Sequence, residues 1–224
     1  MTGSRRSRGL HALLLGALLA LPLGCVNPFK PADPEPPDSS APPEEFGTPE
    51  EVLETIAAAI HSRTTGGANV YLHAFADSTA PGNRAFRAFY DGTVKASWES
   101  ATRLSAPEPW GLDLERNLHT KLSRIRSTYD YTFQWLPDPA SPADDDPSAA
   151  DTVQFHRHYA LFATPSGGEP EVIGIGFADL SFQKTGGRWS IFRWHDRVDP
   201  AVGVNPALTD QRTFSWWRLD SIAR

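Results

Sequence analysis

A single cysteine stands among the 224 residues, at position 25, so no disulfide can form within the chain. No apolar run is long enough for a comfortable bilayer span. Residues 10–23 come nearest, whereas a spanning helix needs about 20 apolar residues. The positive excess of a nucleic-acid binder is missing too, with 21 lysines and arginines against 27 acidic residues. There is no glycine-rich phosphate loop, no Ser-His-Asp order and no cysteine placed as a nucleophile. These absences argue against nucleic acid as a partner and against P-loop, thiol and serine-triad chemistry. No cofactor is expected.

What is there begins with "MTGSRRSRGLHALLLGALLALPLGC". Arg5, Arg6 and Arg8 make a basic start, followed by a short apolar core and then small residues. That is the pattern of a secretory signal, here expected over residues 1–24. "LPLGC" resembles the bacterial lipobox, with Gly24 as the small residue before the cysteine and Pro22 departing from the aliphatic pattern. The resemblance implies acylation of Cys25 and a membrane partner held through its acyl chains. An ordinary signal peptide with a free cysteine is the other reading. "SRRSRGL" is also similar to a twin-arginine signal, but Arg8 occupies the usual hydrophobic position, so ordinary export is expected. Val26, in place of an aspartate, points to an outer-membrane lipoprotein facing the periplasm or the cell surface.

Removal of residues 1–24 would take away three arginines and move the net charge from −6 to −9. The acidity is concentrated in two places. Residues 25–47 form a Pro/acid-rich segment, with seven prolines and a net −4 in 26–47. It reads as an extended, self-repelling tether. The stretch "PDPASPADDDPSAA" at 137–150 holds another −4 and reads as a long disordered acidic loop. Asp144–Asp146 lack the alternating spacing and the glycine of a calcium loop, so a solvated segment is preferred to a metal site.

Residues 48–224 suffice for a single domain. "TPEEVLETIAAAIHSR" opens a helix with Thr48 as N-cap, Pro49 at the first helical position and Glu51 closing a capping box. Gly66-Gly67 should end that helical region. "ANVYLHAF" reads as a second helix, "RAFRAFYD" as a strand and "TVKASWESA" as a helix. In "LDLERNLHTKL", Leu114, Leu118 and Leu122 fall on one helical face.

From Thr128 the period becomes two. Tyr129, Tyr131, Phe133 and Trp135 share one face of a strand; Val153, Phe155, Tyr159 and Leu161 share one face of the next, opposite Gln154, His156 and His158. "EVIGIGFADLSFQ", the turn "KTGG" and "RWSIFRWHD" predict a hairpin, bent or bulged at Gly174 and Gly176. Helices followed by strands argue for an α+β domain with an antiparallel sheet.

That order, the "TPEEVLETIAAAI" opening and the closing "GFADLSFQKTGGRWSIFRWHDR" resemble the nuclear transport factor two-like superfamily, which contains the SnoaL-like proteins. The similarity covers roughly residues 48–200. It implies N-terminal helices packed in the concave face of a strongly curved antiparallel sheet, a cone-like half-barrel. The superfamily contains isomerases and dehydratases as well as many non-enzymes, so it does not by itself give a function.

Candidate site residues follow from the strand patterns. Asp179, between Phe177 and Ser181 on one face, is the preferred catalytic carboxylate if it is buried with a raised pKa, and Tyr131 is its preferred hydroxyl partner. His195 and Asp196 are adjacent and diverge. Asp196 should share a face with Trp194 and Phe192 and sit at the rim of a pocket. Trp194 and Phe177 are candidate binding residues. His156 and His158 are weak metal ligands, needing a third such as Asp130, and read better as solvent-facing polar residues.

The preferred function is a lipid-anchored envelope protein with a non-enzymatic domain that binds a small apolar ligand or an envelope protein. The alternatives are an isomerase, dehydratase or cyclase with a pocket carboxylate, or a structural envelope lipoprotein.

Overall fold

The computed structural model describes residues 44–62, 64–79, 81–125, 129–200 and 212–222. The signal segment, Cys25 and the tether up to residue 43 lie outside the described residues.

Helix α1 (Pro49–His61) forms as its capping box dictates. Thr48 Oγ1 accepts from the Glu51 N–H at 3.2 Å, and Glu51 Oε2 accepts from the Thr48 N–H at 3.1 Å. Val52, Ile56, Ala59 and Ile60 are buried along one stripe. The glycine pair does not end this helical region. α1 stops at His61, and α2 (Thr65–His73) begins with the glycines inside its first turn. The reason is a cap at Thr64, whose Oγ1 accepts from the Gly67 N–H at 3.1 Å. A Cβ on Gly67 would meet Ser62 Oγ at 2.6 Å, so the close approach of α1 and α2 requires glycine there.

Next come β1 (Arg87–Phe89), α3 (Gly92–Thr102) and α4 (Leu112–Ile125). Four long strands follow: β2 (Tyr129–Pro137), β3 (Thr152–Pro165), β4 (Glu171–Thr185) and β5 (Arg188–Arg197). A last helix, α5 (Phe214–Ile222), completes the described chain. The sheet order is β1-β5-β4-β3-β2. β2 to β5 are antiparallel as expected, but β1 joins the edge parallel to β5, so the sheet is mixed.

The sheet curls around the helices. In a flat sheet β2 and β5, three strand spacings apart, would be separated by about 14 Å. Trp135 on β2 and Trp194 on β5 nevertheless bring their ring centroids to 5.4 Å. Two register shifts assist the bend, at Leu161/Phe162 against β4 and at Ser181/Phe182 against β5. The first falls at Gly174, where a bend was expected; Leu161 pairs with Gly174 and Phe162 with Val172. The second bulges Phe192 out of the pairing: Ser181 pairs with Arg193 and Phe182 with Ile191. This extra residue reverses the parity of β5. Trp189 and Ile191 are buried before it and Trp194 and Asp196 after it. Phe192 therefore does not share a face with Trp194, contrary to simple alternation.

The 137–150 loop is also corrected. Instead of hanging free, it edges the start of β3, residues 152–156, which β2 is too short to cover. The Asp145 N–H donates to the Gln154 carbonyl at 3.1 Å, Asp145 Oδ2 accepts from the Gln154 N–H at 2.8 Å, and Asp144 Oδ1 accepts from the His156 N–H at 3.0 Å. Aspartates here satisfy strand N–H groups that would otherwise lack a partner. Thr48→Ala should lose the cap and about 1 kcal/mol of stability, measurable as a lower urea midpoint with an unchanged slope.

Candidate functional site

The concave face carries its charge in two buried clusters. Glu115 lies in the first turn of α4, three residues before Leu118 and seven before Leu122, so it falls on the stripe that faces inward. Its Oε1 accepts from the Tyr71 hydroxyl at 2.6 Å and from Arg218 Nη2 at 3.0 Å. Its Oε2 accepts from Trp110 Nε1 at 2.6 Å and from Arg218 Nε at 2.8 Å. Both partners of this fork are fully buried. The Arg218 guanidinium also lies 4.3 Å above the Trp194 ring. Burial opposes its charge, but Glu115 outweighs burial and raises the pKa of Arg218 further. Burial, reinforced by Glu115, pushes the Tyr71 hydroxyl well above its ordinary value.

The second cluster centres on Asp196. Tyr159 on β3 reaches across β4 to donate its hydroxyl to Asp196 Oδ1 at 2.6 Å. Gly176 makes the crossing possible, because a Cβ there would stand 2.6 Å from that hydroxyl oxygen. Asp196 Oδ2 accepts from the Ser215 N–H at 2.5 Å, and the Tyr159 oxygen accepts from the Phe214 N–H at 2.7 Å. The first two amides of α5 are thus capped by strand side chains. Phe214 stacks on Trp194 with centroids 5.1 Å apart and an interplanar angle of 9°. Burial raises the pKa of Asp196, with Arg218 and the two hydrogen bonds pulling the other way. The C-terminal helix therefore occupies the space above the sheet, where a pocket was expected.

The sequence-predicted residues are not gathered in one place. Asp196 is fully buried rather than at a rim, with the Tyr159 hydroxyl as its partner, and Tyr131 is not the hydroxyl partner expected for Asp179, which His156 and Arg197 engage instead. Tyr131 is buried on β2, where its carbonyl accepts from His61 Nδ1. Asp179 is on the opposite face of the sheet. Its Oδ1 accepts from His156 Nδ1 at 2.8 Å and Arg197 Nη2 at 2.9 Å, while Arg197 Nε approaches Oδ2 at 2.8 Å. Burial alone would raise its pKa, but Arg197 and His156 hold it below the usual value, the reverse of a poised general base. Trp194 lies inside the concave face and Phe177 half-buried on the outer one, so the two candidate binding residues are also separated. His158 Nε2 is 3.1 Å from Asp199, and Asp130 pairs with Thr164, eight residues along β3 from His156. Among the described residues no group of three or more His, Cys, Asp or Glu could hold a metal ion. Glu115 and Arg218 were missed. The helical period of α4 carried a signal for the first; none marked the second.

An open hollow lies elsewhere. It has a volume of about 470 Å³ and is bounded by α2, by Asp77 and Asn83, by the start of α4 and by the start of β5. Its floor is Leu72, Phe75 and Trp189, and Arg116, Arg188 and Asp77 line its sides.

No family model matches the chain, and no curated protein matches it. Solved structures do. A Mycobacterium tuberculosis protein of unknown function is 16% identical with a TM-score of 0.46, over 78% of this chain and 91% of that one. An NTF2-like protein with a cystatin-like fold from Novosphingobium aromaticivorans is 13% identical at 0.43, over 70% and 84%. A conserved protein from Planctomyces limnophilus is 13% identical at 0.43, over 65% and 89%. Likeness this distant carries no argument about activity.

Two outcomes test this geometry. Glu115→Ala should cost about 3–5 kcal/mol by leaving the Arg218 charge buried and unpaired, whereas replacing both by apolar residues should cost less than either single change in urea denaturation. Asp179 has a lowered pKa in the fold, so its stabilising share is complete above about pH 4 and is lost as pH falls through the lowered value. The urea midpoint of Asp179→Asn should therefore fall less steeply than wild type from about pH 4 downward.

Proposed function

We propose that this chain is a lipid-anchored envelope protein whose α+β domain binds a ligand or protein without chemistry. The observation that carries the reading is the occupied concave face. Both interior carboxylates are spent on structure, Glu115 on the Arg218 fork and Asp196 on the start of α5. A general base must reach the proton it removes, and Asp196 is fully buried beneath the protein's own helix. The open space lies outside this face, and Glu44, the first of the described residues, is part of its lining. Anchoring is supported by the basic start, the short apolar run and "LPLGC". Among the described residues no helix is long and apolar enough to cross a membrane.

A second reading, proton-transfer chemistry as in an isomerase or dehydratase, has particular observations in its favour. Asp196 has a raised pKa and a tyrosine partner, and two fully buried donors, Trp194 Nε1 and Arg218 Nη1, have no acceptor among the described residues. It requires α5 to withdraw.

The anchoring part is tested by Cys25→Ala in cells. The variant should lose the lipid-dependent mobility shift and move from the membrane to the soluble fraction. An unchanged distribution would contradict it.

A further inference from the structure

We infer that the hollow between α2, Asp77, Asn83 and the start of β5 is a binding site for a small zwitterion, an amine-bearing carboxylate of amino-acid or dipeptide size. This deepens the binding reading above and rests on it only for the absence of chemistry.

Size is the first argument. A volume of about 470 Å³ suits a compact ligand, since small-molecule pockets span roughly 300–1,000 Å³. The floor is apolar, with Leu72, Phe75 and Trp189 all buried, so it suits a small aliphatic body.

Charge is the second argument. Arg188 lies 4.4 Å over the Phe46 ring, and among the described residues no carboxylate pairs with it. Among the described residues Arg116 pairs only with Asp113, one turn earlier on its own helix, at 3.9 Å. Two guanidinium groups with donors to spare line one hollow, and guanidinium matches a carboxylate through paired N–H groups. The same hollow presents anionic groups. Asp77 Oδ1 accepts from the Thr79 N–H, which holds its carboxyl below the usual value, and no cation pairs with it among the described residues. Glu44 is engaged by His73 Nδ1 at 3.0 Å.

The third argument is an unmet hydrogen bond. Asn83 Oδ1 is buried in the hollow's wall with no partner among the described residues. A buried acceptor in this state costs free energy until a donor reaches it. An apolar ligand would leave it unmet. A phosphate, with at least one full negative charge, would face Asp77 and Glu44 as well as the arginines. An ammonium group pairs with Asp77 and offers a donor on the wall that carries Asn83, and the carboxylate of the same molecule pairs with the arginines.

Isothermal titration of the full chain in detergent tests the inference with four probes: L-alanyl-L-alanine, its C-terminal amide, its N-acetyl form and inorganic phosphate. The free dipeptide should bind saturably, and blocking either end should weaken binding about tenfold or more. Arg188→Ala and Asp77→Ala should each cause a loss of similar size, with circular dichroism unchanged because both side chains are at the surface. Asn83→Leu should weaken the amine-bearing probes more than the N-acetyl form. No binding of the dipeptide, equal binding of the blocked forms, or tighter binding of phosphate would overturn the inference. Product appearing by mass spectrometry during the titration would sink the non-enzymatic reading and leave the site standing. Unchanged titration of Cys25→Ala separates the site from the anchor.

Discussion

The Glu115 carboxylate joins parts of the chain that are far apart in sequence. It accepts from Tyr71 on α2, from Trp110 just before α4, and twice from Arg218 on α5, 103 residues downstream. A charge taken this far from water is tolerated only when it is paired and its lone pairs are filled. That requirement fixes where α5 lies: Arg218 must reach Glu115, and its guanidinium then covers the Trp194 ring. Phe214 stacks on the same indole, and the first amides of α5 meet Tyr159 and Asp196. The concave face is closed as a consequence.

The sheet contributes through its irregularities. A glycine at 176 lets Tyr159 cross β4, and the bulge at Phe192 turns Asp196 inward. Without that extra residue, the alternation that buries Trp189 and Ile191 would have turned Trp194 and Asp196 outward. Both features serve one end, which is to bring a carboxylate and a hydroxyl to the start of α5.

Much of this fold was legible because local rules govern it. The α1 cap, the inward faces of β2 and β3 and the Gly174 irregularity follow from short-range pattern, whereas the curved sheet with helices on one face was implied by the resemblance alone. Asp196 shares a face with Trp194 as expected but lies beneath α5 rather than at a rim, and Asp179 lies with Phe177 on the outer face; strand alternation shows which residues share a face, not which face is concave or what covers it. Glu115 sat on the inward stripe of its helix, but a carboxylate there is readable as a site only once its partner is known. Arg218 lacked any local signal, since its burial depends entirely on a long-range pair. The acidic loop was misread for a related reason. Composition shows its charge but not the uncovered β3 edge that its aspartates satisfy.

The central claim is that α5 is a permanent part of the interior, so that binding takes place outside the concave face. Native-state hydrogen exchange tests this most directly at the amides of Phe214 and Ser215, which donate to Tyr159 and Asp196. If the account is right, both exchange as slowly as the central amides of β3 and β4, through global unfolding alone. Exchange of these two amides through a local opening, with the strands still protected, would show that the helix withdraws and the interior is accessible, and would contradict it.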